Sequence, residues 1–192
     1  MKRLNLIKKS ILLTLLLSVS TIFSQDKMMS SNTKMVGGSA MYPTKNIVEN
    51  AVNSKDHTTL VAAVKAADLV NVLMSEGPFT VFAPTNKAFE KLPEGTVKTL
   101  LMAENKATLQ AVLKYHVVYG KYNAKDIIKL IKKGNGKAKL NTVNGGVLVV
   151  WLKGKAVYIT DENGNSAMVT IADVNQSNGV IHVIDTVLSP KS

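Results

Sequence analysis

The sequence predicts an α+β fold, with helices gathered in the first half of the folded region and strands in the second. Apolar residues recur at helical spacing between about residues 46 and 133, then give way to short runs rich in Val, Ile and aromatics. Asn-Gly pairs at 144–145, 163–164 and 178–179 punctuate the second half as tight reversals. Segregated helices and strands, as opposed to alternating ones, are what separate this class from a doubly wound parallel sheet.

The chain opens with Lys2, Arg3, Lys8 and Lys9, followed by an apolar run from Ile11 to Phe23 and a polar turn at Gln25-Asp26. That layout predicts a secretory signal peptide over residues 1–24, cleaved near Ser24. The run is shorter than the ~20 residues that a membrane span needs. Ile22 is a poor match to the small residue expected two positions before the cut, so an uncleaved membrane anchor stands as the alternative. The sequence contains no cysteine, which suits export and excludes a lipid anchor on cysteine. Residues 25–43, with Ser30, Ser31, Asn32, Thr33, Gly37, Gly38 and Ser39 and no apolar period, are expected to be a flexible linker without a packed element. The folded domain is expected over residues 44–190.

Within that domain, Thr58 to Met74 predicts one largely buried helix. Lys65, Asp68 and Asn71 form a narrow polar stripe, and Leu60, Ala63, Val64, Ala67, Val70, Leu73 and Met74 fill the rest. Gly77-Pro78 stops it, and Phe79 to Phe82 reads as a strand. A brief helix follows, capped by Thr85 and ended before Pro93. Two more helices are expected near 94–103 and 106–116, the second with Leu109, Val112, Leu113 and His116 on one face. Val117 to Tyr119 is extended. Residues 123–133 form another helix, with Asn123 as its cap, Asp126 in its first turn and Gly134 closing it. Strands are expected at 147–152, 156–160, 168–171 and 180–184.

Composition removes several function classes. Arg3 is the only arginine, and bidentate recognition of phosphate or guanine depends on arginine, so no nucleic-acid partner is expected. Neither a cysteine nucleophile nor a Gly-x-Ser-x-Gly elbow is present, and His57, His116 and His182 lack the spacing of metal ligands. No catalytic residue, metal or cofactor is therefore assigned, and the chain is not expected to be an enzyme. Asp161-Glu162-Asn163-Gly164-Asn165 begins like a calcium loop, but Ser166 stands in the glycine position and Ala172 replaces the closing glutamate. A β-turn is the better account.

Three segments resemble the fasciclin domain family: Phe79 to Phe89, the Tyr115-His116 pair leading into Val117-Val118, and Gly179 to Leu188. Their order and spacing together cover roughly residues 44–190. The resemblance implies a twisted β-wedge packed beside a helical layer, and extracellular adhesion to proteins, matrix or cells. Of the motif residues, Thr80, Phe82, Pro84, Thr85, Asn86, Phe89, Tyr115, His116, His182 and Asp185 are assigned structural roles. His116, on an apolar helix face, is expected to be buried and hydrogen-bonded.

Two surfaces are candidates for partner binding. Lys121, Lys125, Lys129, Lys132, Lys133, Lys137 and Lys139 face a single acid, Asp126, within 19 residues. They are either a solvated face or a contact for acidic polysaccharide or another anionic surface, and membrane contact is left open. Asp173-Val174 stands where animal members of the family carry an Asp-Ile pair implicated in integrin binding, although valine departs from that pattern. The leading expectation is a secreted or periplasmic adhesion module, monomeric, that meets an extracellular or cell-surface protein or an anionic polysaccharide. The alternative is a binding protein for a small apolar ligand or glycan held between sheet and helices.

Overall fold

The structure, a computed structural model, describes residues 33–191, so the signal peptide expected at 1–24 and residues 25–32 of the expected linker lie outside the described residues. The rest of the linker needs correcting. Strands β1 (Lys34–Val36) and β2 (Ser39–Met41) form an antiparallel hairpin, and Val36 and Met41 are buried in the core. One apolar residue on each strand suffices because the burial is tertiary, against β3 and β9, and leaves no periodic trace in the sequence.

The helical layer follows. It comprises α1 (Ile47–Ala51), α2 (Thr58–Ala66), α3 (Val70–Met74), α4 (Asn86–Glu90), α5 (Thr96–Leu100), α6 (Lys106–Tyr115) and α7 (Ala124–Lys133), with one-turn 3₁₀ segments at Lys55–His57 and Ala103–Asn105. The single helix expected over 58–74 is two helices. Asp68 adopts a left-handed φ of 54° between them, and Lys106 pairs with its carboxylate. Met74, expected on the buried face, is exposed on the second of them.

Seven strands form one sheet in the order β4-β3-β9-β8-β7-β6-β5. They are β3 (Phe79–Pro84), β4 (Val117–Tyr119), β5 (Lys137–Asn141), β6 (Val147–Lys153), β7 (Ala156–Thr160), β8 (Ser166–Gln176) and β9 (Gly179–Ile184). Only β3 and β9 pair in parallel. The two ends of the sheet meet, since Val118 bridges Thr142 and the Val143 N–H donates to the Val117 carbonyl at 2.7 Å. This nearly closed wedge beside a helical layer is the α+β fold expected from the sequence.

Every residue of β3 and β9 is buried, as befits the one pair covered on both faces. On one side Phe82, Tyr115, Ile127, Ile131, Leu148, Ile159 and Leu188 fill the wedge beneath α7. On the other, Val81, Ile181 and Val183 pack under the hairpin and α1. A smaller cluster, including Val64, Leu69, Leu109 and Leu113, joins α2 to α6.

Gly179 shows how tightly the parallel pair is set. A Cβ there would lie 2.2 Å from the Phe79 carbonyl oxygen, whereas Gly154, in a surface turn with φ of 62°, faces open space. Gly179→Ala should therefore destabilise the fold by about 3 kcal/mol through forced strand separation. Gly154→Ala should lose only about 1 kcal/mol from left-handed strain. Urea midpoints of the two variants, measured side by side, check the order.

Candidate functional site

The motif residues occupy the joints between layers. Thr80, fully buried in β3, donates its hydroxyl to the Gly120 carbonyl at 2.7 Å and accepts the Tyr122 N–H at 2.9 Å, fixing the turn after β4. Phe82 stacks on His182 with ring centroids 5.8 Å apart. Pro84 ends β3, Thr85 accepts the Ala88 N–H to cap α4, and Phe89 is half-buried on that helix. Asn86 reaches across to the start of α2, accepting from Thr59 N–H at 3.0 Å and donating to the Lys55 carbonyl at 2.9 Å.

Tyr115 and His116 tie the end of α6 to the far strands. The Tyr115 hydroxyl donates to the Val147 carbonyl at 2.8 Å and accepts the Glu162 N–H at 3.0 Å, and burial pushes its pKa up to about 12. Nδ1 of His116 donates to the Val112 carbonyl at 2.8 Å, and Nε2 accepts the Leu188 N–H at 3.0 Å. Burial brings its pKa down to about 4, so the ring is neutral. His182 is likewise buried and held below its ordinary pKa by burial, with Nε2 donating to the Tyr122 carbonyl at 2.8 Å. Burial alone would raise the Asp185 carboxyl, but the Met168 N–H, the Thr186 hydroxyl and Lys91 together bring it below its ordinary value. Asp161 accepts backbone N–H groups from Asn163, Asn165 and Ser189 as well as the Asn165 amide, so its carboxylate organises a turn.

The second candidate surface is corrected. Val174 is 0% exposed, packed beneath the hairpin, and is unavailable to any partner. Asp173 sits in a bulge of β8 with φ of 56°, and its Oδ1 accepts the Ala124 N–H at 2.6 Å, at the first turn of α7. Asn123 is the N-cap residue of that helix, as expected, and its N–H donates to the Asp126 carboxylate at 3.1 Å while its Oδ1 has no donor. A carboxylate at the helix N-terminus is favourable for its charge as well as for the bond.

The lysines lie where contact is open. Lys125, Lys129, Lys132 and Lys133 are exposed on α7, with Ile127 and Ile131 turned to the core. Lys121, Lys137 and Lys139 are exposed too, the last two on β5. Among the described residues none of the seven forms an ion pair. Lys137 is the cross-strand partner of Trp151, which pairs with Tyr158. These two rings stack 5.0 Å apart, and each is half-buried. The pair's alternation with buried Val150 and Ile159 places it on the outer face.

Between the helical layer and the sheet lies a cavity of about 290 Å³, walled almost wholly by apolar side chains. Such a space is what the small-ligand alternative requires.

Comparison with known proteins adds the following. Residues 55–190 match the family model of the fasciclin domain. The chain is 42% identical over 174 residues to the Synechocystis sp. protein sll1483, covering 91% of this chain and 89% of that protein. It is 34% identical to human periostin over 71% of this chain, but spans only 15% of periostin. With the immunogenic protein MPB70 of Mycobacterium bovis it shares 34% identity over 73% of this chain and 66% of that protein. In fold it resembles a FAS1 domain pair from the insect cell adhesion molecule fasciclin I, with a TM-score of 0.68 at 23% identity over 77% of this chain and 51% of that one.

The three buried imidazoles give the site a pH signature. Burial lowers the pKa of His57, His116 and His182 below the ordinary 6.5. The unfolded chain therefore takes up protons that the fold refuses. Their contribution to stability is complete above about pH 6.5 and falls as pH drops towards the folded values, with His116 alone accounting for about 3 kcal/mol by pH 4. Unfolding free energy measured from pH 7.5 to 4.5 should decline. His116→Ala should start about 1–3 kcal/mol lower at pH 7.5, since it strands the Leu188 N–H, and should lose less on acidification.

Proposed function

We propose, from the premise that this chain belongs to the fasciclin domain family, that it is an exported adhesion or binding module that engages an anionic polysaccharide, or an acidic patch on a cell-surface protein, through the lysines of α7 and β5. The observation carrying this reading is that these six lysines, and Lys121 just before α7, are exposed and without an ion-pair partner among the described residues. Solvated ammonium groups contribute little to folding. Together they create a positive field that draws anionic partners and concentrates them at the surface. Lysine also suits a partner whose charges are spread along a chain, because each ammonium acts as a point charge without a fixed bidentate geometry. The Trp151–Tyr158 stack beside Lys137 supplies a flat apolar platform against which the face of a sugar ring could lie. Edge-strand lysines also discourage strand-to-strand aggregation, which accounts for Lys137 and Lys139 on their own but not for the four on α7. Secretion fits the leader and the absence of cysteine, and binding in place of catalysis fits the buried, fully hydrogen-bonded state of His116.

Replacing Lys125, Lys129 and Lys132 together by glutamine should leave the melting temperature unchanged and weaken binding to dextran sulfate. Binding by the unaltered chain should itself weaken as salt rises. Asp173→Ala should lower the melting temperature by removing the bond to Ala124, yet retain binding where folded. Normal adhesion by the triple variant at low salt would reduce the lysines to a solubilising face. Expressed with its own leader, the chain should be recovered outside the cytoplasm starting near Gln25. Intact Met1 confined to the cytoplasm would overturn export.

A further inference from the structure

We propose that the cavity between the helical layer and the sheet is a binding site for a small apolar alcohol, whose hydroxyl is held by His57. The site is separate from the lysine-rich surface and rests on different observations. Its walls come from Leu60, Leu73, Phe79, Val81, Val117 and Ile181. At about 290 Å³ it has room for on the order of ten non-hydrogen atoms. Water is a poor occupant of such walls, which offer it few hydrogen bonds.

Apolar side chains also border the cavity on its solvent side. Val52, Val72 and Tyr119 border the cavity and are 47%, 46% and 65% exposed. Exposed apolar side chains that border a cavity point to something apolar that enters it.

A single buried polar atom sets the ligand's chemistry. His57 lines the cavity and is 2% exposed, with Nδ1 bonded to the Ser54 hydroxyl at 2.9 Å. Its Nε2 has no hydrogen-bond partner, and the Ala83 carbonyl acts on the ring only from outside good bonding geometry. An unsatisfied buried nitrogen is costly, and a ligand that meets it recovers that loss. Depending on how the Ser54 hydroxyl is turned, Nε2 is a donor or an acceptor, and a hydroxyl group answers either. A carboxylate fits less well, because burial keeps this ring neutral and the nearby Asp56 is itself negative. Lys65 and Lys114 border the cavity but are exposed and half-exposed, so their ammonium groups belong to its water side. A protein partner resting on the rim would leave Nε2 unmet.

Calorimetric titration of the full chain with 1-decanol, and separately with sodium decanoate, tests the assignment. Saturable one-to-one binding of decanol is expected, with decanoate at least tenfold weaker. Val61→Trp, which fills the cavity from its wall, should abolish decanol binding, and His57→Phe should weaken it by up to about tenfold. Should His57→Phe not fold, the decanol-to-decanoate ratio on the unaltered chain still decides the polar end. The triple lysine variant should bind decanol as the unaltered chain does. Absent saturation with decanol, decanoate binding as tightly as decanol, or unchanged affinity in folded Val61→Trp would each overturn the proposal.

Discussion

His116 joins the helical layer to the end of the chain through both ring nitrogens, and only the uncharged ring can do so. Nδ1 must donate to the Val112 carbonyl while Nε2 accepts from Leu188, so a proton on Nε2 would turn an acceptor against a donor. Tyr115, one residue earlier, carries the same helix end onto β6 and the turn before β8. Gly146 completes that contact, since a Cβ there would lie 2.6 Å from the Tyr115 ring. Two adjacent side chains thus fix where α6 stops, where β4 begins and where the C-terminal segment lies.

A comparable economy governs α7. Its N-terminus is held by Asp173, from a bulge in β8, and its apolar face by Ile127 and Ile131 in the wedge core. The bulge that lifts Asp173 to a positive φ also buries Val174 on the opposite side. An Asp–apolar pair that reads in one dimension as an exposed recognition motif is, in three, a bracket for the helix that carries the exposed lysines. Its influence on a partner would be indirect, through the position of α7.

What the sequence made legible were features with local causes. Thr85 capping α4, Gly134 after α7 and the strands around Trp151 follow from spacing and turn chemistry within a few residues. The family resemblance added the wedge. Missed features are masked by distance, by charge or by an unusual residue type. The hairpin at 34–41 is held by two side chains whose partners lie far along the chain, and β5 alternates lysine with Ala138 and Leu140, a pattern masked by its charge. The break at Asp68 lacks the glycine or proline that normally marks one; Asp68 itself takes the left-handed position, with its N–H on the Lys65 carbonyl and the Leu69 N–H on the Val64 carbonyl. The cavity was illegible because its walls come from helices, strands and the hairpin together.

The two proposed surfaces differ in what they ask of the fold. Exposed lysines neither hold it together nor strain it appreciably, so their number and placement can change without moving the core. The cavity is different. Space of about 290 Å³ within a packed protein forfeits van der Waals contact on every wall, and here it also leaves Nε2 of His57 unmet. Such a defect persists only if the rest of the structure outweighs it, which the doubly buried β3–β9 pair and the joints at Tyr115 and His116 are placed to do. By linkage, whatever fills the space raises stability in proportion to its affinity, while an anion bound at α7 does so only until salt screens it. Salt dependence therefore separates the two sites physically: contacts made by solvated charge fade as ionic strength rises, and contacts made by excluded water do not.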